Sequence, residues 1–451
     1  MIIIVTLILA VAFALYISPK EEMPKGAIQH MKDRGQLVAV LEPNTLNYFI
    51  YRGEAFGFGL SLLQEFSLYL DIPLKVIACS TASQAYYYLD YHVADIMAYN
   101  LPVTRQGKNL AQFSSPLLET NLVFVQHTPI VVPSLDELKE DTVVVQKNIF
   151  FQPLYDRFLS KTGSNVYLKE VSATFEELFQ MVSTDSIRHT LCPENLAIVL
   201  SQVYLNTDIS LPATRNYPVA WALNHSSDSL REIIDYWLDS IANNRLLPKT
   251  FREIYHNPRI VNHFRSDYFS LISHRISPWD EQLQHYSKLF WWDWRLVASL
   301  MYSESNFIPN LTSHKNAYGL MQMIPETAEI YGLDTASNIS QQIMAGVKYL
   351  KWIDRQLPPD IKDPRERASF ILAAYNLGIG RVLSLRKKAE AYGKDPNVWH
   401  GNVEYYLLRR SGSDPYGYAD TLKEFPVNYS MDGYVDGILN RYYHYLNLLP
   451  D

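Results

Sequence analysis

RLVASLMYSESNFIPNLTSHKNAYGLMQ, residues 295–322, opens as an amphipathic helix with one polar intruder. At helical period Val297, Leu300 and Met301 share one face, and Glu304 lands on that same face, four and three residues past the last two. A carboxyl on an apolar stripe has two readings. Either it sits at the edge of the stripe and reaches solvent or an arginine, or desolvation raises its pKa until it holds a proton near neutral pH, as a general acid requires.

Working outward from this stretch, the pattern is helical on both sides. Ser277-Pro278-Trp279-Asp280 is a helix start, with a capping serine, proline at the first helical position and an acid in the first turn. Helices are expected from Gln282 to Phe290, Arg295 to Phe307, Met321 to Tyr331, Ser340 to Gln356, Pro364 to Leu377 and Val435 to Leu448. Strand-like segments are scarce, so residues 277–451 read as an all-α domain.

Upstream the pattern changes. Gln36 to Leu41, Leu74 to Ala78 and Ala94 to Ala98 read as strands, with helices from Gly59 to Leu70 and Thr81 to Asp90 between them. Such βαβ alternation implies a parallel sheet. A second block opens after the proline-bearing segment His127 to Pro133, with a helix starter at Ser134 to Glu137, a strand at Thr142 to Gln146 and a helix at Phe151 to Leu159. It closes near Thr190 to Leu200. A strand at Val219 to Leu223 and a helix at Ser229 to Ala242 then return to the first block. Two α/β lobes are expected within residues 35–260, one from about 35–126 plus 215–260 and the other from 128–212. The break between domains falls between Asn257 and Ser277, where no period is sustained.

Composition narrows the function. The 451 residues suffice for two or three domains, and 48% hydrophobic with 19% charged residues describes an ordered globular chain. A formal net charge of -7 offers no electrostatic case for nucleic acid. There are 32 tyrosines and 8 tryptophans, amphipathic rings of the kind that stack on sugar faces. The 12 histidines lack ligand spacing, and no zinc pattern, Walker-type loop or Gly-x-Ser-x-Gly elbow is present, so no metal or cofactor is expected. Cys79 and Cys192 are expected to be two thiols. Met1 to Ser18, MIIIVTLILAVAFALYIS, is an uncharged apolar run that reads as a signal or anchor segment. The expected location is therefore the cell envelope, membrane-associated, with the body of the chain on the periplasmic face.

Two resemblances follow from particular residues. Tyr48-Phe49, Gly57-Phe58-Gly59-Leu60, Ala94 to Ala98 and the run TRQGKNLAQFS at Thr104 to Ser114 resemble the type II periplasmic solute-binding proteins, the amino-acid-binding branch in particular. In that branch an arginine three residues after the threonine clamps the ligand's α-carboxylate. Here Gly107 stands at that position, which argues against ordinary free-amino-acid binding and leaves a different ligand or none. Arg105 and Lys108 are the nearest cations in sequence.

In the helical half, Glu304-Ser305, then Ser313 with Gly319-Leu320-Met321-Gln322, then Ala374-Tyr375-Asn376 and finally Tyr434-Val435 resemble, in this order, the family 1 lytic transglycosylases. The combined expectation is an α/β two-lobed type II periplasmic binding fold followed by an all-α lysozyme-like domain. The resemblance implies that Glu304 is the sole catalytic acid/base. It implies substrate-binding roles for Ser305, Ser313, Gly319, Met321, Gln322, Tyr375, Asn376 and Tyr434. One departure is Asn316 in place of the family's first glycine; asparagine tolerates the left-handed backbone region better than most residues.

Glycosidases that hydrolyse use two carboxyls, and only one is evident here, since Glu326 reads as a first-turn helix acid. The resemblance therefore implies cleavage of peptidoglycan glycan strands between N-acetylmuramic acid and N-acetylglucosamine, with the muramoyl C6 hydroxyl as internal nucleophile and 1,6-anhydro ends as product. A muropeptide or amino-acid-like ligand in the two-lobed domain, regulating the enzyme, is the expected small-molecule partner. A hydrolytic muramidase and a non-catalytic muropeptide or solute sensor are the competing readings.

Overall fold

The computed structural model describes residues 28–129, 131–138, 141–162, 166–243, 270–288, 292–407 and 433–449. The apolar segment 1–18 and most of the expected break at 257–277 lie outside these residues. Among the described residues no helix is long and apolar enough to cross a membrane. The chain divides into two units, residues 1–51 with 55–274, and residues 52–54 with 275–451.

In the first unit the expected alternation is present. β1 (Leu37–Leu41), α1 (Phe58–Leu70), β2 (Leu74–Ala78), α2 (Ala82–Asp90) and β3 (Ile96–Pro102) form one lobe. β4 (Leu118–His127) leaves it. β5 (Thr142–Gln146), α3 (Gln152–Thr162), β6 (Tyr167–Val171), α4 (Phe175–Ser183), β7 (His189–Pro193) and α5 (Glu194–Val203) form the other. β8 (Thr207–Leu223) returns, and α6 (Asp228–Asn243) covers the first lobe. The strand order is β2-β1-β3-β8-β4-β7-β5-β6. β1 pairs in parallel with β2 and β3, and β5 in parallel with β6 and β7. The two long strands β4 and β8 run antiparallel to each other and join the lobes, so this unit has the two-lobed binding fold.

Three local devices fix the geometry of the lobes. Gly57 begins α1 at φ 140°, and a Cβ there would lie 2.0 Å from the Asn47 carbonyl oxygen, so only glycine lets the chain pass. A capping box, with Thr174 Oγ1 accepting from Glu177 N and the Glu177 carboxylate accepting from Thr174 N, starts α4 and sets Glu176 in its first turn. Beneath the first lobe Phe66, Trp221 and Trp237 pack at centroid separations of 5.1 to 6.3 Å, pinning α1 and α6 to β8.

β8 is longer than expected because Pro212 and Pro218 interrupt its pattern in sequence. The strand accommodates them with register shifts against β4 at Asp208/Leu211, Pro212/Thr214 and Thr214/Tyr217. Cys79 and Cys192 are both buried free thiols.

The second unit is helical among the described residues, apart from short bridges. Its main helices are α7 (Asp280–Lys288), α8 (Trp294–Ser305), α9 (Pro325–Ile330), α10 (Ile339–Gln356), α11 (Pro364–Leu377), α12 (Ile379–Ala391) and α13 (Tyr434–Leu448). Two expectations change. α7 opens at Asp280, whose carboxylate accepts from Ile276 N, Ser277 N and Ser277 Oγ; the proline precedes the helix. α9 starts at Pro325 and not at Met321, because Gln322 at φ 44° closes a turn that a helix cannot contain. α8 and α13 pack side by side, tied by Ser299 Oγ donating to Ile438 O at 2.6 Å and by Arg295 donating to Leu449 O at 2.6 Å.

Candidate active site

Val297, Leu300 and Met301 are fully buried, which fixes the orientation of α8 and leaves Glu304 at its last turn, part-buried beside them. Helix carbonyls of the last turn disfavour a negative charge there. Asn306 at φ 50° and Phe307 at φ 65° then end the helix in the left-handed region. Burial pushes the Glu304 carboxyl up to about 7, and a hydrogen bond from Tyr434 opposes part of that rise. The alternative of an edge glutamate paired with an arginine is not what the structure shows: among the described residues no lysine or arginine pairs with Glu304.

The partners come from distant segments. Tyr434, the first residue of α13, donates its hydroxyl to Glu304 Oε1, and Asn376 is hydrogen-bonded to the same tyrosine. Tyr375, near the end of α11, feels the Glu304 charge and donates its hydroxyl to Met321 O at 2.6 Å. Both tyrosines are held well above the usual phenol range, chiefly by burial and then by Glu304. They remain neutral donors across the working pH range.

The segment after α8 is a compact loop built on its own backbone. Ser313 Oγ accepts from Lys315 N and Ala317 N, and Asn316 sits at φ 59°, the conformation that an asparagine in the glycine position has to adopt. Gly319, at φ 81°, donates to Leu311 O, while Gln342 Oε1 accepts from Leu320 N at 2.9 Å. Gln322 Nε2 donates to Leu311 O and Gly319 O, both at 2.9 Å, which holds its side chain over the loop.

The structure thus brings Glu304, Tyr375, Asn376 and Tyr434 together, with Gln322 part-buried on the neighbouring loop. Three others are buried behind this group. Ser305 is 1% exposed and its hydroxyl is bonded to Met301 O and Leu320 O, so it joins α8 to the loop. Met321 is equally buried and packs on Gly346, where a Cβ would lie 2.5 Å from its Cγ. Gly319 is buried beneath Gln342. Ser313 caps the loop with its hydroxyl already engaged by two backbone amides.

Three features of the site have little or no mark in sequence. Gln342 lies on α10, where an amide inside a helix carries no local signal. Arg441 of α13 donates to Ser303 Oγ at 2.9 Å and to Glu54 Oε1 at 2.8 Å, and its guanidinium lies 4.5 Å from the Tyr302 ring centroid. It therefore braces the turn of α8 that carries Glu304. Tyr349 stacks with Trp352 at 5.9 Å and lies 5.3 Å from Tyr375, forming an aromatic strip that continues from that tyrosine; Trp352 is 41% exposed. The i, i+3 spacing of Tyr349 and Trp352 on one helix face is the signal that marks them.

One group of metal-competent side chains exists among the described residues: His400, Glu404 and Asp436. His400 Nδ1 is 3.3 Å from Glu404 and Nε2 is 3.4 Å from Asp436, and the hydrogen bond with Glu404 leads the causes that raise its pKa. An imidazole engaged at both nitrogens by carboxylates favours its protonated form and is an ion-pair centre, a poor metal ligand. Glu326 is exposed in the first turn of α9.

The chain is similar to known proteins. Residues 282–398 match the Transglycosylase SLT domain family. The chain is 28% identical over 444 residues to the membrane-bound lytic murein transglycosylase F of Desulfosudis oleivorans, covering 96% of this chain and 94% of that protein. It is 28% identical over 426 residues to the protein of the same name in Ectopseudomonas mendocina, with coverages of 91% and 86%. Among solved structures, holo ArgBP from T. maritima aligns at TM-score 0.43 and 19% identity, over 50% of this chain and 99% of that one. The amino acid ABC transporter substrate-binding protein AbpA from Streptococcus pneumoniae aligns at 0.45 and 16%, over 53% and 98%.

Proposed function

We propose, from the premise that this chain is a peptidoglycan lytic transglycosylase of the cell envelope, that Glu304 alone performs its acid and base steps. The observation that carries the reading is a carboxyl raised to about 7, on an apolar helix face, hydrogen-bonded to a tyrosine and, among the described residues, without a second carboxyl in its electrostatic surroundings. Hydrolysis needs a second group to act as nucleophile or to activate water. Transglycosylation does not.

Protonated Glu304 donates to the oxygen bridging N-acetylmuramic acid and N-acetylglucosamine, and the bond from muramoyl C1 to that oxygen breaks with its electron pair leaving on oxygen. The carboxylate so formed accepts the proton of the muramoyl C6 hydroxyl, whose oxygen bonds to C1. A 1,6-anhydro ring closes, Glu304 is protonated again, and no water is consumed. Tyr434 steadies the carboxylate stage by donating to it. Tyr375, by holding Met321 O, keeps the loop with Gln322 in register, and Asn376 orients Tyr434. The Tyr349 and Trp352 rings offer apolar faces on which sugar rings stack. The body of the chain works on the periplasmic face, with residues 1–18 as its signal or anchor segment.

Mass spectrometry of products from purified sacculi separates this from muramidase action. Anhydro ends are lighter than reducing ends by one water; products carrying only reducing ends would overturn the transglycosylase assignment. A pH profile tests the role of Tyr434. Its hydroxyl favours the ionised carboxyl, so Tyr434→Phe lets the Glu304 pKa rise above about 7. The alkaline limb of kcat/KM then moves to higher pH, while a limb that stays in place would show that another group titrates there.

The first unit is read as a solute-binding domain that sets the rate of the second. Such coupling requires a ligand with different affinity for two states. Muropeptides or amino acids that change neither melting temperature nor cleavage rate would remove its basis.

A further inference from the structure

An enclosed acidic place lies far in sequence from Glu304. In each lobe of the first unit a chain segment leaves the carboxyl end of a central parallel strand, where open α/β sheets place ligands. Glu42 directly follows β1 in one lobe, and Gln146 is the last residue of β5 in the other. Glu176 stands in the first turn of α4, held there by the capping box.

These groups meet across the lobes. Thr45 donates its backbone N–H and its hydroxyl to Glu176 Oε1. Glu42 accepts from Asn44 Nδ2 at 2.6 Å and from the side chain of Gln146. Gln146 is 4% exposed, and with its amide engaged by Glu42 it keeps a carbonyl oxygen, Oε1, that is buried and has no partner. A buried acceptor without a donor is unfavourable, so its presence asks for an N–H from elsewhere.

The charge balance points the same way. Both carboxyls are part-buried, and burial leads the causes that raise them, Glu42 to about 8 and Glu176 to about 7; Glu176 raises Glu42 further. Their other titratable neighbours are Glu177, Tyr99, Tyr204 and Cys192, none of which brings positive charge. Among the described residues no lysine or arginine pairs with either carboxyl. Gly107 is buried against Thr104 and Phe113, and its cationic neighbours Arg105 and Lys108 are exposed. Among the described residues the cleft is thus rich in acceptors and lacks the cation that would hold an anionic ligand.

We propose that the first unit takes its solute through a cationic group, an ammonium or guanidinium, held by Glu42 of one lobe, Glu176 of the other and the free carbonyl of Gln146. This rests on the reading of that unit as a solute-binding domain and names the ligand class. A guanidinium or ammonium supplies several N–H donors. Binding one neutralises the mutual repulsion of the two carboxyls and displaces the proton that they hold near neutral pH.

Titration calorimetry on the full chain at pH 7, with agmatine and 1,5-diaminopentane as cations without a carboxylate and glutarate and N-acetylglucosamine as anionic and neutral probes, tests this. At least one of the two cations binds and the other two probes do not, and repeating the titration in buffers of different ionisation enthalpy shows about one proton released per bound cation. The double variant Glu42→Gln and Glu176→Gln, which mimics the protonated acids in shape, weakens cation binding at least 10-fold. Should that variant not fold, proton release by the unaltered chain decides. Binding of glutarate or N-acetylglucosamine in place of the cations would overturn the ligand class and leave the solute-binding reading standing. Cation binding without proton release, or at unchanged strength in the double variant, would overturn the assignment to these carboxyls. Binding by none of the four would remove the solute-binding reading as well.

Discussion

Glu304→Gln abolishes glycan cleavage, with a fall in kcat of about 10³-fold or more on purified sacculi, since general acid–base assistance alone contributes roughly 10² to 10⁴ and both steps are proposed to rest on this one group. The amide keeps the size and the hydrogen-bonding face of the acid, so the helix packing of Val297, Leu300 and Met301 is untouched. The same variant has a signature in stability. A carboxyl whose folded pKa is about 7, against 4.5 as its ordinary value, binds its proton more tightly in the folded state. Its favourable contribution is complete below about 4.5 and is lost as pH rises through 7. An amide at this position has no such dependence. Relative to the unaltered chain the variant gains stability between pH 4.5 and 7, by on the order of 3 kcal/mol at most, and the difference then levels off. Chemical unfolding at pH 5 and pH 8 checks this. Retained cleavage would end the single-acid assignment, and a stability difference independent of pH would show that Glu304 is ionised throughout.

Gly319→Ala lowers the stability of the second unit by about 2 to 5 kcal/mol, and cleavage falls with it. Two costs combine. At φ 81° an L side chain is strained by about 1 to 2 kcal/mol. The new Cβ would also lie 2.5 Å from Gln342 Oε1, so Gln342 moves and the buried Leu320 N–H loses its acceptor, a further cost of about 1 to 3 kcal/mol. Gly332→Ala separates the two, because Gly332 also has a positive φ, 68°, but nothing lies within 4 Å of its Cβ direction. It carries only the backbone strain. Equal unfolding midpoints for the two variants would show that Gln342 does not hold the loop.

The Leu320 amide also ties these motif residues to one another through Gln342. Ser305, Gly319 and Met321 set the distance between α8 and the loop that bears Gln322, and any shift there moves Gln322 relative to Glu304. Arg441 does the same from α13, through Ser303, one residue before the acid. Proximity effects in catalysis are sensitive to displacements of about 1 Å.

Sequence alone determined what depends on period and local chemistry. The stripe of Val297, Leu300, Met301 and Glu304, the alternation from β1 through β3, and the asparagine able to adopt φ 59° at position 316 are all properties of neighbours along the chain. Tertiary structure decided what depends on which distant groups a side chain meets. Tyr434 reaches Glu304 from 130 residues away, and burial among such distant segments raises the carboxyl to about 7 against the opposing hydrogen bond from that tyrosine. Ser305 looks like an open hydroxyl until the Leu320 carbonyl claims it. β8 looks broken by Pro212 and Pro218 until bulges against β4 absorb them. Glu42 and Glu176 are ordinary acids in a linear reading. The meeting of residues from the two lobes takes them partly out of water and gives them each other as neighbours, and desolvation and Coulomb repulsion, which no sequence period encodes, do the rest.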